Sequence, residues 1–222
     1  MSEDENVLLK VQFSVTDEFG RIVETTDEEE AKKNGIFNPN AKYGYSMIVL
    51  SDNRLIKGFR EALVSANENE EKTVKIAKAD AFGDRKEELV VLIPMKKFEE
   101  ANMAPQVGMI VDLDGQTGKV QSVSGGRVRV DMNHELAGRD VVYKFKILKK
   151  ISSDQEKLDS LLEEQLGIKE TGKISGDTAQ VLVSQDAMKK DNYLQGKYGA
   201  IQAVLQIIPN LKKLQWTEEF TK

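Results

Sequence analysis

The chain holds one histidine, His134, and no cysteine among its 222 residues. Disulfides and thiolate chemistry are therefore excluded. A carboxylate-only ion site would need acids at calcium-loop spacing, and no segment has that pattern. The acidic runs at 27–30 and 68–71 read as solvated surface. Neither a metal nor a cofactor is expected. What remains for binding or catalysis is the lone histidine, the carboxylates, and the aromatic and apolar side chains: eight phenylalanines, five tyrosines and one tryptophan. Taken singly, Phe13, Phe59 and Tyr143 read as core, Glu24 as solvated surface and His134 as a structural hydrogen-bonder.

The elements that must position these residues follow from period and punctuation. Residues 7–15 alternate from Leu9 onward, a half-buried strand that carries Phe13. A turn at 17–21 leads to a second strand at Ile22-Val23, and 27–33 forms a short helix stopped by Asn34-Gly35. Phe59, Ala62 and Leu63 share one face of a helix over 55–63. A strand at 72–77 precedes the turn that holds Phe82. Residues 88–132 have a different texture: short strands at 89–93, 109–113, 119–123 and 127–130, a helical turn at 95–102, and hairpin signals at Asp114-Gly115 and Gly125-Gly126. The region reads as a small all-β module. Tyr143 falls in another alternating strand, 140–147.

Beyond Ser152-Ser153, the leucines at 158, 161, 162 and 166 have helical spacing, with Gly167 as C-cap. Two strands flank Gly176-Asp177. A second helix puts Tyr198, Ile201, Val204, Leu205 and Ile208 on one face before Pro209, and 211–216 reads as a last strand. This order suggests a small α+β unit.

Composition agrees with a soluble globular protein: 40% hydrophobic and 31% charged. No apolar run could span a bilayer, and the acidic residues 1–6 lack the apolar core of a signal peptide. With no cysteine, a reducing compartment fits, so a cytoplasmic location and no membrane partner are expected. A net charge of −5 argues against nucleic-acid binding, although Lys119, Arg127 and Arg129 put basic residues on the small β module.

Four segments in order carry a family resemblance. They are the opening strands with Ile22-Val23-Glu24-Thr25-Thr26, then Arg54-Leu55-Ile56-Lys57-Gly58-Phe59-Arg60-Glu61-Ala62-Leu63, then Ala81-Phe82-Gly83-Asp84-Arg85, and finally Val130-Asp131-Met132-Asn133-His134-Glu135-Leu136-Ala137-Gly138-Arg139. Together they resemble the FKBP-type peptidyl-prolyl cis/trans isomerases. Roughly 45 residues separate the third segment from the fourth, too many for a structureless loop. They resemble the insert-in-flap domain of SlyD-like members, and the added C-terminal unit is similar to that of long archaeal FKBPs. The resemblance implies an α+β protein: an FKBP-like antiparallel half-barrel sheet wrapped on a short helix, an inserted small all-β domain, and a C-terminal α+β domain. The implied limits are 1–86 plus 134–152 for the catalytic domain, 87–133 for the insert, and 154–222 for the last.

The resemblance also implies an activity: isomerisation of X–Pro bonds, together with chaperone action on unfolded or partly folded proline-containing chains. The implied pocket comprises Phe13, Glu24, Leu55, Ile56, Phe59, Phe82, His134 and Tyr143. Phe59 would floor it, Leu55 and Ile56 would wall it, and the Ile56 N–H would bind a substrate carbonyl. Glu24 stands where the family usually has Asp. Phe13 and Phe82 stand where many members have tyrosine, and Glu135 replaces the signature proline. His134 would orient its loop rather than move protons. A catalytically weak holdase or peptide-binding module is the alternative. For the C-terminal unit, a homodimer interface and a folded spacer both stay open.

Overall fold

The computed structural model describes residues 7–220 except Asp114, Ile168, Glu170 and Thr171. The acidic stretch 1–6 and half of the expected Asp114-Gly115 turn thus lie outside the described residues. The chain opens with β1 (Leu8–Asp17), β2 (Ile22–Thr25), α1 (Glu28–Lys33), β3 (Ser46–Val49), α2 (Lys57–Val64) and β4 (Glu71–Ile76). Next come β5 (Val90–Pro94), α3 (Met95–Glu100), β6 (Ile110–Leu113), β7 (Gln116–Ser124) and β8 (Arg127–Asp131), then β9 (Val141–Ile151). Last are α4 (Asp154–Leu166), β10 (Gly172–Ser175), β11 (Thr178–Val183), α5 (Gln185–Met188), α6 (Tyr193–Ile207) and β12 (Lys213–Glu218).

Among the described residues the fold is mixed α+β with three sheets. In the first, β9 lies between β1 and β4 and is antiparallel to both. The other side of β1 takes β3 over residues 8–11 and β2 over 14–16. Alternation in β1 sends Leu9, Val11 and Val15 into one core, where α2 adds Phe59 and Leu63 one helical turn apart. Burying each of these side chains contributes about 1.5–3 kcal/mol. Gly58 is what lets α2 lie so close to β4: a Cβ there would come within 2.4 Å of Ile76 Cγ2. The sequence reading missed β3. Its residues 46–49 are all half-buried, so they show no polar–apolar alternation to read.

Where β1 turns into β2, Asp17 has a fully buried side chain. It accepts hydrogen bonds from the Phe19 N–H (3.0 Å) and the Arg21 N–H (2.9 Å), and from the Arg21 guanidinium (2.6 and 2.8 Å). Burial pushes its pKa up, but the Arg21 backbone and guanidinium, with Phe19, outweigh that and hold the carboxyl below its usual range. A carboxyl depressed in the folded state stabilises above its unfolded pKa, and that contribution fades as pH falls through the folded value. Asp17→Asn should therefore lower Tm by about 2–4 °C at pH 7. The gap to the parent should narrow in thermal melts as pH falls below the ordinary carboxylate range. A gap independent of pH would mean that the charge is not the source.

In the second sheet the order is β5-β8-β7-β6, all antiparallel. It is not purely β. Phe98 of α3 joins Val111, Val120, Val128 and Val130 in its core, because four short strands alone leave one face uncovered.

The third sheet, β10-β11-β12, is antiparallel then parallel. It packs with α4 and α6 around Leu158, Leu162, Val181 and Val204. Two expectations need correcting here. First, the buried face of α6 is Tyr193, Gly196, Ala200 and Val204, while Tyr198 and Leu205 are exposed. The helix seats on α4 through small residues. A Cβ on Gly196 would stand 2.5 Å from the Gln165 carbonyl oxygen, so close approach rather than side-chain bulk sets the contact. Second, this core is not closed by residues 154–220 alone. Leu8 and Ile151, register partners in the first sheet, are both fully buried in it. Among the described residues, no helix is long and apolar enough to cross a membrane.

Candidate functional site

Strand pleating and one helix assemble an aromatic cluster. Tyr143 of β9 lies between Val15 of β1 and Val74 of β4, and Phe145, two residues on, faces Phe13. The Phe59 ring stacks on Tyr143 with centroids 4.2 Å apart, and meets Phe13 (5.9 Å) and Phe145 (5.3 Å) edge-on. Offset and edge contacts of this kind match the ring quadrupoles and hold the rings rigid. Phe59 is 2% exposed, whereas Phe13 is half-buried, so Phe59 is floor and Phe13 is rim.

Leu55 and Ile56 approach α2 from its N-terminal side, half-buried, and pack on the same core as Phe13, Val23 and Phe82. Ile56 is the N-cap of α2 in extended conformation. Among the described residues its N–H donates to no protein group, and it lies at the positive end of the helix. That is a donor set beside an apolar floor. Glu24 of β2, register partner of Val15, is largely exposed, yet loss of water around its carboxyl pushes its pKa up. Burial raises the Tyr143 phenol, and the Glu24 charge raises it further, so the phenol stays protonated as a donor across the physiological range.

Phe82 and His134 form a second pair, their rings parallel at 4.0 Å. His134 Nδ1 accepts the Leu136 N–H (3.2 Å), and the Gly138 N–H donates to the Gly83 carbonyl (2.7 Å). The His134 loop is thereby laid against the Phe82 turn. Burial disfavours the imidazolium and lowers the His134 pKa, with Glu135 opposing weakly. His134→Ala should reduce peptide turnover by no more than about tenfold. The profile should be flat between about pH 5.5 and 8 in both forms. A titration near pH 6.5 that vanishes in the variant would make His134 a direct participant.

Thus the structure gathers Phe13, Phe59 and Tyr143, sets Leu55 and Ile56 and the Glu24 carboxyl nearby, and stacks Phe82 on His134. The sequence reading overlooked two things. Phe145 shares the alternation of Tyr143 and was findable by period. The role of Asn133 was not: its amide accepts the Lys86 N–H (2.8 Å) and donates to the Lys86 carbonyl (2.9 Å). This clasp ties the two chain crossings at the foot of the second sheet. Arg85 pairs there with buried Asp131, which also accepts from Gln121 (2.8 Å).

Residues 91–136, which hold the second sheet, match the family model described as FKBP26, IF domain. The chain is 36% identical over 128 residues to a short-type peptidyl-prolyl cis-trans isomerase of Methanocaldococcus jannaschii, covering 58% of this chain and 82% of that protein. It is 26% identical over 159 residues to the FKBP-type peptidyl-prolyl cis-trans isomerase SlyD of Treponema pallidum, covering 70% of this chain and 82% of that one. The chain belongs to the FKBP-type peptidyl-prolyl cis-trans isomerases, in the SlyD-like group with an inserted domain.

Proposed function

We propose that this chain catalyses cis/trans rotation about X–Pro bonds of unfolded polypeptides and holds those chains while they fold. The observation that carries this reading is the rigid Phe59–Tyr143–Phe13 floor beside the open Ile56 N–H. An X–Pro amide resists rotation because resonance must be broken, at a barrier of about 18–20 kcal/mol. A proline ring against Phe59 sits in a dry, apolar surface. There the twisted amide, less dipolar than the planar one, loses less on leaving water. The Ile56 N–H would fix the substrate backbone. Each ~1.4 kcal/mol of preference for the twisted form gives about tenfold in rate, and no covalent intermediate is needed. Phe13, Glu24, Leu55, Ile56, Phe59, Phe82, His134 and Tyr143 make up the proposed site, with Phe145 supporting Phe59 from behind.

We place the limits at 1–86 plus 134–152 for a catalytic domain, 87–133 for an insert and 154–222 for a C-terminal domain; three apolar cores accord with three units, and the C-terminal core also takes in Leu8 and Ile151 of the first sheet. On the insert, Leu92 (60% exposed), Val107 (69%) and Ile110 (59%) offer apolar surface that suits a second, weak site for unfolded chain. On the C-terminal domain, exposed Leu194, Tyr198 and Leu205 line one face of α6 and suit a homodimer contact. A cytoplasmic site of action fits the absence of cysteine.

Protease-free turnover of a proline tetrapeptide at substoichiometric protein tests the proposal, with Glu24→Gln beside it. Many turnovers per chain are expected. Glu24→Gln should cut kcat by about three- to tenfold with KM held, the pattern of a lost transition-state contact. Peptide binding without turnover would favour the holdase reading instead.

A further inference from the structure

Between β3 and the helices α4 and α6 lies a groove of about 910 Å³. Its lining includes Glu24 and Leu55 of the proposed isomerase site, Met47 and Val49 of β3, and Ala203 and Ile207 of α6. The C-terminal helices therefore wall a space that opens from the site itself.

The β3 wall is an open strand edge. Among the described residues β3 pairs with β1 alone. The Leu50 N–H donates to the Val7 carbonyl (3.2 Å), so in this antiparallel register the backbone groups of Ser46 and Ile48 face β1 and those of Met47 and Val49 face away. The Val49 carbonyl is taken by the Asp52 N–H (3.0 Å). Among the described residues, the Met47 N–H, the Met47 carbonyl and the Val49 N–H have no backbone partner. A parallel segment opposite Ile48 would donate to the Met47 carbonyl and accept from the Val49 N–H. An antiparallel one would use both groups of Met47.

We propose that this groove is an extended subsite for the substrate polypeptide. The stretch of chain flanking the proline would add as a strand to the β3 edge, held under Ala203 and Ile207. The inference rests on the isomerase reading and deepens it. Its occupant follows from continuity with the site and from the need for an extended, unpaired backbone, which unfolded substrate supplies. The C-terminal helices would then contribute to substrate selection by length, and would not be a mere spacer.

The test uses the full chain and three peptides: an X–Pro tetrapeptide, and the same core lengthened by eight residues on the N-terminal or the C-terminal side. Turnover is measured without protease, and affinity by fluorescence anisotropy. Val49→Pro removes the open N–H without breaking an internal bond, on an edge strand where proline is tolerated. Ala203→Arg plugs the groove from α6 and serves if the first variant misfolds by circular dichroism. One extension should raise kcat/KM by about tenfold, as expected for one or two net backbone hydrogen bonds. That gain should vanish in either folded variant while tetrapeptide turnover stays within about twofold. No gain from either extension, or a gain that survives in both variants, would overturn the subsite. If wild type turns over no peptide yet binds one long peptide about tenfold tighter in a groove-dependent way, the isomerase reading fails and the groove stands.

Discussion

Phe59→Ala should abolish most peptide turnover and cost about 3–5 kcal/mol of stability, the usual price of emptying a buried aromatic site. Phe59 is 2% exposed and touches Phe13, Tyr143 and Phe145 at once, so its loss leaves a cavity lined by three rings that a single shift cannot refill. Urea denaturation gives the stability change, and turnover is then read in conditions where the variant remains folded. Tyr143→Leu probes the same stack more gently. It replaces the phenol ring stacked on Phe59 with an aliphatic side chain, so turnover should fall about tenfold at a smaller stability cost. A folded Phe59→Ala protein with turnover within about twofold of wild type would remove Phe59 from the mechanism.

Replacing residues 88–132 with a short loop should leave the first sheet folded and reduce catalysis of a proline-limited protein refolding reaction by more than about tenfold. Tetrapeptide turnover should change by less than about threefold. The difference arises because a second weak site raises the local concentration of the proline segment only when the substrate is long enough to reach both. The clasp between Lys86 and Asn133 makes the replacement feasible, since it already holds the two chain crossings side by side. The exposed Leu92, Val107 and Ile110 all leave with the segment. Equal losses in both assays would show that the insert acts on the pocket's geometry and not as a holding surface. An unfolded product by circular dichroism would refute the domain boundary.

Much of this was legible because the informative residues announce themselves locally. Alternation placed Phe13 and Tyr143 on strands, and the Phe59–Leu63 spacing placed the floor on a helix. Asn69 adopts φ 62°, a region that asparagine tolerates better than most residues. What stayed hidden depends on contacts that no local pattern encodes. β3 lacks alternation because both of its faces are covered, one by the isomerase core through Ile48 and the other by the C-terminal core through Met47 and Val49. On α6 bulk is a poor sign of burial: Gly196 and Ala200 make the contact, and Tyr198 stays out. The sharing of Leu8 and Ile151 with the C-terminal core is a tertiary event between residues 143 positions apart in sequence. In the site, Ile56 was assigned by family resemblance. The structure adds a physical reason: an N–H at a helix N-terminus with no protein partner among the described residues.

The central claim is that the aromatic floor binds the twisted X–Pro bond more tightly than either planar isomer. Two-dimensional exchange NMR on a short X–Pro peptide, with the full chain at about one-hundredth of the peptide concentration, tests it most directly. Without catalyst, cis and trans interconvert over tens to hundreds of seconds and give no exchange cross-peaks on a sub-second mixing time. The account predicts that cis–trans cross-peaks appear with wild type and disappear with folded Phe59→Ala. Shifted peptide signals without exchange, or exchange undiminished in the variant, would contradict it.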